Sequence, residues 1–335
     1  MRTRVPQRFG LADADSCRAI SHVPATPPNP TDPMSYPAPH RIRIGTMAGK
    51  GPRTAEYIRS ILPLGFECFQ INFWKTLGGV KLPQLEAEVA RVLEGSDAVV
   101  SSLGVYGNPL GETAEDAETV RAWKAAIDHA HAFGTDLVCG FAGRVRGKPV
   151  PDSIARFRKI FGDLAKRAAD RGVRIAFENC PMGGTWATGD WNIAFCPAAW
   201  ELMFDAVPAD NLGLEWEPCH QLCQLIDPMP QLRRWVGKVF HIHGKDATVL
   251  RDVVAADGVC GPRPFAFHRH PGFGDSNWTD ILSELRRGGF RGCIDIEGWH
   301  DPVYRDALEM TGQVHALQHL KRARGGDFVP NPKGF

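Results

Sequence analysis

The chain has 335 residues, enough for one large domain or two ordinary ones. Its 39 lysines and arginines nearly balance 38 aspartates and glutamates, so the net charge is +1. This balance argues against proteins that bind nucleic acid or anionic membranes through bulk charge. Apolar residues make up 43% of the chain, a usual globular value, and the longest apolar runs fall short of the roughly 20 residues of a membrane span.

The nine cysteines are scattered and form no Cys-x-x-Cys motif. Because their number is odd and most lie in apolar segments, we expect reduced, buried thiols rather than a disulfide framework. The first residues lack the continuous apolar stretch of a secretory signal. These features predict a cytoplasmic protein.

Composition divides the chain into three segments. Residues 1–40 contain repeated prolines between Pro24 and Pro39 among Thr, Asn and Asp, a composition that cannot bury a core and predicts a flexible arm. Residues 41–323 carry the patterning of one folded domain. Residues 324–335 form a short C-terminal tail.

Within the central segment, apolar strand-like runs alternate with runs of helical periodicity. Eight strands are predicted, at 42–48, 66–73, 97–105, 136–142, 173–178, 212–217, 238–243 and 292–297. Helices are predicted at 54–62, 83–94, 113–133, 153–171, 197–206, 229–236, 277–288 and 302–322. This alternation predicts an α/β fold, a single (β/α)8 TIM barrel with a Pro-rich N-terminal extension. The alternative, a doubly wound open sheet, usually has a G-x-G-x-x-G loop opening a helix, and the sequence contains none.

Residues typical of helix starts and helix ends support the predicted positions of these helices. Asp152-Ser153 precedes one amphipathic run and 275–277 (Asp-Ser-Asn) precedes another, as residues at helix starts do. Gly172 and Gly289 follow the predicted helix ends, where glycine commonly terminates a helix.

Potential metal ligands occur at the ends of four consecutive predicted strands. Strands five to eight end at Glu178, Glu217, His243 and Glu297. The C-terminal strand ends of a TIM barrel carry its functional residues. Charged side chains in apolar strands are costly unless they are paired or coordinated. Three carboxylates and an imidazole suit Mn²⁺, Mg²⁺, Co²⁺ or Zn²⁺, so we expect a divalent metal site.

Strand alternation separates the ligands from their neighbours. Side chains two residues apart share a face, which pairs Glu217 with Glu215 and His243 with His241. Asp295 and Glu297 form the third such pair. The residue nearer the strand end is the expected ligand, and the earlier one is expected to support it from a deeper layer or to lie outside the site.

Six segments together resemble the xylose isomerase-like TIM-barrel superfamily of sugar phosphate isomerases and epimerases. The segments are SSLGVYGNPL (101–110), AFENCP (176–181), GLEWEPCH (213–220), HIHGKD (241–246), HPGFGDSNW (270–278) and IDIEGWHDP (294–302). The resemblance runs from about Ile42 to Leu320. It rests on the order and spacing of the segments, since each one alone is only modestly specific.

The resemblance implies a metal held by Glu178, Glu217, His243 and Glu297, with Mn²⁺ as the first expectation. One position departs from the family pattern Asp-x-x-His, because Glu217 replaces the usual aspartate. His220 occupies the histidine position, which in the family contacts a substrate oxygen.

The resemblance also implies the chemistry. The metal stabilises an enediolate formed by removing the proton beside a sugar carbonyl. Glu178 and Glu297, on opposite sides of the substrate, are the expected bases, and His220 binds or polarises a substrate oxygen. Lys245 matches a family variant in which it supports the site.

Further substrate contacts are weaker expectations. The loop after strand four contains Arg144 and Arg146, whose cations suit a phosphate or a polyhydroxylated end, although a solvated loop explains them equally well. Trp299 is one of five tryptophans near the strand ends, the others being Trp74, Trp186, Trp191 and Trp216. Arg269, together with His268 and His270, lies just before the Pro-Gly turn of HPGFG and is a further candidate. The insert 182–195 is predicted to be a loop that forms a lid, a partner surface or a plain connection.

Several functions share this chemistry. The first is isomerisation or epimerisation of a free or phosphorylated sugar. The second is elimination from a 3-keto-glycoside, as in the large catalytic subunit of a C-glycoside deglycosidase. Dehydration of a keto-inositol is a third.

Two other classes fit the sequence less well. An endonuclease IV-like DNA-repair enzyme needs more His and Asp ligands and a basic face, and a non-catalytic sugar-binding barrel does not need this ligand set. The expected partners are a small sugar or keto-glycoside and a second copy of the chain, with a small second subunit in the deglycosidase case. Neither nucleic acid nor a membrane is an expected partner.

Overall fold

The computed structural model describes residues 42–326 and residue 332. The predicted arm at 1–40 and most of the predicted tail at 324–335 lie outside this range. No helix among the described residues is long and apolar enough to cross a membrane.

Eight parallel strands close into a barrel, which confirms the predicted TIM barrel. The strands are β1 (Arg43–Ala48), β2 (Cys68–Asn72), β3 (Val99–Val105), β4 (Leu137–Gly140), β5 (Arg174–Glu178), β6 (Leu212–Trp216), β7 (Val239–Gly244) and β10 (Cys293–Ile296). Around the barrel their order is β1-β10-β7-β6-β5-β4-β3-β2. The four strands with predicted ligands at their ends are therefore neighbours.

The sequence did not predict a second, small sheet. After β7 the chain forms β8 (Asp246–Val249) and β9 (Ala266–Arg269), which pair antiparallel. The carboxylate of Asp246 fixes this excursion, because it accepts hydrogen bonds from Ser276 N at 3.1 Å and Trp278 Nε1 at 3.1 Å.

Helices surround the barrel in the expected order. Their bounds are α1 (Thr54–Ile61), α2 (Leu82–Leu93), α3 (Ala114–His129), α4 (Val150–Ala169), α5 (Pro197–Ala206), α6 (Pro218–Leu222), α7 (Pro228–Trp235), α8 (Arg251–Asp257), α9 (Trp278–Arg287) and α10 (Glu309–Ala323). The short helices α6 and α8 were not predicted. Both lie in the connections that follow β6 and β8.

Two predicted helix starts need correction. Helix α4 begins at Val150, because Pro149 and Pro151 suit a first turn, so Asp152 already lies inside the helix. Helix α10 begins at Glu309 rather than near residue 302. The Asp301 carboxylate holds the intervening segment in a turn by accepting hydrogen bonds from the backbone N–H groups of Val303 and Tyr304.

The signals predicted at the two ends of α9 are confirmed. Asn277 caps α9 by accepting a hydrogen bond from Asp280 N. Gly289 follows α9 with a φ of 77°, a conformation that suits glycine.

The core lies between the barrel wall and the inner faces of the helices. Phe157 and Phe161 of α4 pack against Phe177 of β5, with ring centroids 5.5 and 4.8 Å apart. Trp123 of α3 packs edge-on against Phe161 at 5.5 Å. All four side chains are fully buried, so this cluster joins α3 and α4 to the strand that carries Glu178.

Candidate metal centre

Four side chains meet above the carboxyl end of the barrel. We call Glu178, Glu217, His243 and Glu297 the carboxylate–histidine group. One oxygen or nitrogen atom of each lies within 4.8 Å of the corresponding atoms of the others. The structure thus brings together all four residues predicted as ligands, from four adjacent strands.

Amide side chains fix the backbone beneath two of these residues. Asn179 donates to Glu217 O at 2.9 Å and accepts from Glu217 N at 2.8 Å, which joins the ends of β5 and β6. Asn192, in the insert after β5, donates to Glu178 O at 2.8 Å. The insert thereby positions one of the carboxylates.

A second layer lies directly below, as the alternation of side chains predicts. We call Glu215, His241 and Asp295 the supporting layer. His241 lies between the two carboxylates, with Nδ1 2.9 Å from Glu215 and Nε2 2.8 Å from Asp295. Burial opposes a charge on this imidazole, but Asp295 and Glu215 raise the pKa of His241 to about 9. The layer therefore contains a cation between two anions.

The supporting layer orients His243. Its Nε2 faces downward, 3.0 Å from Glu215 Oε1 and 2.9 Å from Gln70 Oε1. Gln70 and Tyr106 in turn donate hydrogen bonds to the Glu215 carboxylate, at 2.6 and 2.9 Å. The Nδ1 atom of His243 consequently faces Glu297 Oε2 at 3.3 Å and Glu178 Oε1 at 3.7 Å.

The carboxylate–histidine group fits a divalent cation. Both carboxylate oxygens of Glu217, Nδ1 of His243 and Oε2 of Glu297 are buried and have no hydrogen-bond partner among the described residues. Each such atom costs about 1–3 kcal/mol unless something satisfies it. Oxygen and imidazole donors are those that Mn²⁺, Mg²⁺, Co²⁺ and Zn²⁺ accept.

The charges of the group differ from residue to residue. Burial raises the pKa of Glu178 and of Glu217 to about 7. Burial acts in the same direction on Glu297, but Lys245 and His243 hold the pKa of Glu297 well below its usual range. The chain by itself does not neutralise three buried carboxylates, and a divalent cation would favour their ionised forms.

Lys245 and His220 touch this group from two sides. Lys245 Nζ lies 2.6 Å from Glu297 Oε1 and is buried. His220, in the first turn of α6, has Nε2 2.7 Å from Glu217 Oε1, in an orientation that does not form a hydrogen bond. Burial, together with the nearby ammonium of Lys245, lowers the pKa of His220 to about 3, so its imidazole is neutral.

A cavity of about 670 Å³ opens above the group. The residues that line it include Glu178, Glu297, His243, His220 and Lys245. Most of the remaining wall is aromatic or contains sulfur, and it comprises Met47, Trp74, Tyr106, Phe141, Cys180, Met182, Cys223 and Trp299. The volume lies within the range of about 300–1,000 Å³ typical of small-molecule sites.

Three arginines predicted as substrate contacts do not line the cavity. Arg144 is fully buried and donates to the carbonyls of Lys148 and Thr185, so it holds the loop after β4. Arg146 forms two hydrogen bonds with Asp116, at 2.6 and 2.7 Å.

Arg269 pairs with Asp301 at 3.1 Å. Charge alone suggested a role for these arginines in substrate binding, but each guanidinium already has partners within the chain.

Of the five tryptophans predicted near the strand ends, some line the cavity and others do not. Trp299 and Trp74 line the cavity, and both are partly exposed. Trp216 is buried in the core and donates to Gln221 at 3.0 Å. Trp186 and Trp191 lie in the insert and are not in the cavity wall.

Sequence analysis missed two residues of the site. Gln70 and Tyr106 contact His243 or its carboxylate partner. Gln70 is a polar residue within an apolar strand run, which was a detectable signal. His268, named beside Arg269 as a candidate, does line the cavity, and it does so from β9 of the small sheet, which was not predicted.

The sequence of this chain is similar to those of two known proteins. The 3-dehydroshikimate dehydratase of Pseudomonas aeruginosa is 30% identical over 217 residues, which are 63% of this chain and 30% of that protein. This chain thus corresponds to less than a third of the dehydratase. The rhizopine catabolism protein MocC of Rhizobium meliloti is 26% identical over 278 residues, which are 76% of this chain and 77% of MocC.

The chain also matches a solved structure in its fold and a family model in its sequence. The structure of L-ribulose 3-epimerase matches with a TM-score of 0.63 at 16% identity, over 84% of this chain and 96% of that one, a likeness that concerns the fold. The model of the family described as Xylose isomerase-like TIM barrel matches residues 58–323. The resemblance inferred from the six sequence segments is confirmed, and the chain belongs to the xylose isomerase-like TIM-barrel family.

Proposed function

We propose that this protein is a divalent-metal-dependent enzyme that isomerises or epimerises a sugar by moving a proton next to a carbonyl group. The observation that carries the proposal is the carboxylate–histidine group, whose unpartnered buried atoms face a cavity of small-molecule size. The names of the relatives support it, since they include a 3-epimerase and a dehydratase. Removal of a proton beside a carbonyl is a step that can begin both kinds of reaction.

Glu178, Glu217, His243 and Glu297 would hold the metal. When bound, a divalent cation supplies Lewis-acid stabilisation of negative charge on a substrate oxygen. Mn²⁺ is our first expectation, with Mg²⁺, Co²⁺ and Zn²⁺ as alternatives, because the donors are mainly hard oxygen atoms.

The chain's own residues divide the remaining work. Glu178 ends β5 and Glu297 follows β10, with β6 and β7 between them, so a substrate above the group has one carboxylate on each side. One carboxylate removes a proton, and the other can return one to the opposite face. Lys245 keeps Glu297 oriented through its 2.6 Å contact, and the neutral imidazole of His220 binds a substrate oxygen.

The charge of the cavity favours a substrate without a phosphate group. Lys245 is the one lysine or arginine among the described residues that line the cavity, and it is already paired with Glu297. A phosphate would also approach the carboxylates of the group. Trp74 and Trp299 instead offer aromatic faces on which a sugar ring can stack.

The size and aromatic wall of the cavity favour one second candidate. A 3-keto-glycoside consists of a sugar and an aglycone, and the apolar wall formed by Met47, Phe141 and Met182 suits an aglycone. Proton removal beside the 3-keto group would then expel the aglycone by elimination. The catalytic large subunit of a C-glycoside deglycosidase would act in this way together with a small partner subunit.

The deciding experiment is NMR in D2O with the Mn²⁺-loaded protein and a panel of free ketoses, sugar phosphates and 3-keto-glycosides. Deuterium uptake beside the carbonyl without loss of a substituent supports an isomerase or epimerase. Release of the aglycone supports the lyase instead. No exchange with any substrate would contradict both.

A pair of variants assigns the chemistry to the site. Glu178→Gln removes a proposed base and metal ligand while keeping the shape of the side chain, so we expect exchange to be abolished. Glu94→Gln, at an exposed position after α2, is the matched control and should exchange at the rate of the unchanged protein. Full exchange by Glu178→Gln would remove this residue from the mechanism.

A further inference from the structure

A second group of potential ligands lies at the cavity wall, apart from the carboxylate–histidine group. Cys219 lies in helix α6, Cys223 is the residue directly after this helix, and His268 comes from β9 of the small sheet. A sulfur of each cysteine and a ring nitrogen of His268 all lie within 4.8 Å of one another. We call these three residues the thiol group.

The local structure holds the two sulfurs together. Cys219 and Cys223 are four residues apart, so they share one face of the helical turn, and Cys223 N donates to Cys219 O at 2.9 Å. Gln224 secures the end of this turn by donating to His220 O at 2.8 Å and Phe195 O at 3.1 Å. The spacing is therefore set by a fixed segment of backbone.

His268 provides an independent indication of a ligand. Its Nδ1 atom is buried and has no hydrogen-bond partner within the described part of the chain. The residue stands opposite Ala247 in the β8–β9 ladder, which holds its backbone in place. A buried ring nitrogen left without a partner costs free energy that a bound cation would recover.

The electrostatic surroundings favour a thiolate. A hydrogen bond from Cys219 and the proximity of His268 lower the pKa of Cys223 to about 5, although burial acts against this. Cys219 is fully buried, whereas Cys223 and His268 line the cavity and give access to the group.

We propose that Cys219, Cys223 and His268 form a second cation site, selective for a thiophilic ion such as Zn²⁺, with its fourth position open to the cavity. Two thiolates and one imidazole are an established ligand set for zinc sites that keep an open position. Tetrahedral zinc with bonds of about 2.3 Å to sulfur needs sulfurs about 3.8 Å apart, a separation that small side-chain rotations can reach here. Mg²⁺ and Mn²⁺ prefer oxygen, so they should leave this site empty.

The thiol group adjoins the proposed catalytic residues without sharing any with them. The rings of His268 and His220 are 5.1 Å apart and nearly perpendicular. A cation on the thiol group would therefore lie beside the residue proposed to bind a substrate oxygen. Its existence does not depend on the proposed reaction, and binding alone can test it.

Cobalt absorption distinguishes the two groups. The full chain, reduced and freed of metal, is titrated with Co²⁺ while near-ultraviolet and visible spectra are recorded. Cobalt bound by thiolates gives a ligand-to-metal charge-transfer band that cobalt bound by carboxylates and imidazole lacks. We expect this band to saturate by two equivalents, since Co²⁺ also suits the carboxylate–histidine group, to disappear on addition of Zn²⁺ and to persist on addition of Mg²⁺.

Three variants locate the band. Cys219→Ser and Cys223→Ser should each abolish it, whereas Cys260→Ser, with its exposed cysteine outside the cavity wall, should keep it. Glu217→Gln should keep the band while weakening the carboxylate–histidine group, which separates failure of this proposal from failure of the proposed function. Absence of the band in the unchanged chain, or its persistence in either Cys219→Ser or Cys223→Ser, would overturn the assignment.

Discussion

The contrast between Glu217 and Arg144 shows what decides a residue's role in this barrel. Both are charged and fully buried. The guanidinium of Arg144 meets backbone carbonyls, so its burial is satisfied within the chain. Both carboxylate oxygens of Glu217 lack hydrogen bonds, so its burial is unexplained without a ligand. A buried polar atom without a hydrogen-bond partner therefore indicates a functional residue more specifically than the charge of the side chain does.

Substitution of Glu217 tests this argument directly. We expect Glu217→Gln to bind Mn²⁺ more than about tenfold more weakly, because it removes an anionic donor. The metal-free variant should unfold at a temperature no lower than the unchanged chain, since no hydrogen bond to the carboxylate is lost. Isothermal titration with Mn²⁺ and thermal unfolding without metal provide the two measurements.

Glu217→Asp is the matched control, because aspartate keeps the charge and is the usual residue of the family at this position. It should retain Mn²⁺ binding within about tenfold. Equal losses in Glu217→Gln and Glu217→Asp would show that the length of the side chain matters more than its charge.

The sequence predicted the position of the carboxylate–histidine group better than that of the arginines expected to contact substrate, for a physical reason. The alternation of side chains along a strand and the position of the strand end depend on local geometry. Glu178 and His243 could therefore be placed from the sequence. The ion-pair partner of Arg146, by contrast, depends on how the loop after β4 folds against α3. Its partner, Asp116, is 30 residues away in sequence.

At the scale of elements, the start of α3 combines two stabilising devices. Thr113 and Asp116 form a capping box, in which Asp116 N donates to Thr113 Oγ1 at 3.2 Å and Thr113 N donates to the Asp116 carboxylate at 2.8 Å. Arg146 adds two hydrogen bonds from the loop after β4. Burial would raise the pKa of Asp116, but Arg146 and Thr113 hold it at about 2.

This low pKa predicts a stability difference that depends on pH. Asp116→Asn should lower the free energy of unfolding by about 2 kcal/mol near neutral pH, which corresponds to the shift from 3.8 to about 2. The carboxylate stabilises the fold above its unfolded pKa, so the difference should shrink as the pH falls below about 4 and vanish only below about 2. Denaturant unfolding at several pH values measures it.

Glu112→Gln is the control for this prediction, because its ion pair with Arg156 leaves Glu112 82% exposed. It should change the free energy of unfolding by less than about 1 kcal/mol at any pH. A difference for Asp116→Asn that does not change with pH would show that the capping box acts through shape rather than charge.

The elements that the sequence did not predict, α6, α8, β8 and β9, are all short. Helix α6 has five residues and β8 and β9 have four each, too few for a period of 3.6 or 2 to emerge. These three elements carry the thiol group, or support it, and carry His220. The barrel strands alternate with long amphipathic helices, so their pattern was clear.

The aromatic cluster behind β5 provides a test of the packing between elements. We expect Phe161→Ala to lower the free energy of unfolding by about 3–5 kcal/mol, because it leaves a cavity between α3, α4 and β5. Phe161→Leu keeps most of the volume and should cost about half as much or less. Similar losses in both variants would indicate that the edge-to-face ring contacts, rather than volume, dominate.

At the scale of the whole molecule, the closed barrel makes the site possible. Residues 178, 217, 243 and 297 span 120 positions of sequence, yet β5, β6, β7 and β10 are adjacent in the sheet. Closure of the barrel also places β1 beside β10, where Thr46 donates to Ile296 O at 3.1 Å. A cation at the carboxylate–histidine group would therefore connect strands that are far apart along the chain.

That connection predicts a global stabilisation by metal. At a free Mn²⁺ concentration 100 times Kd, binding should raise the free energy of unfolding by about 2.7 kcal/mol, and chelation should reverse it. Because the ligands come from four strands, the entire thermal transition should shift rather than split. Calorimetry with and without a chelator measures this shift.

The same calorimetric experiment distinguishes the two proposed cation sites in the intact protein. Cys223→Ser should retain the Mn²⁺-dependent shift, because manganese prefers oxygen to sulfur, whereas Glu178→Gln should lose most of it. With Zn²⁺, Cys223→Ser should show a smaller shift than the unchanged chain, since Zn²⁺ accepts both ligand sets. An Mn²⁺-dependent shift that survives in Glu178→Gln but disappears in Cys223→Ser would reverse the assignment of the two groups, since it would place the manganese among the thiols.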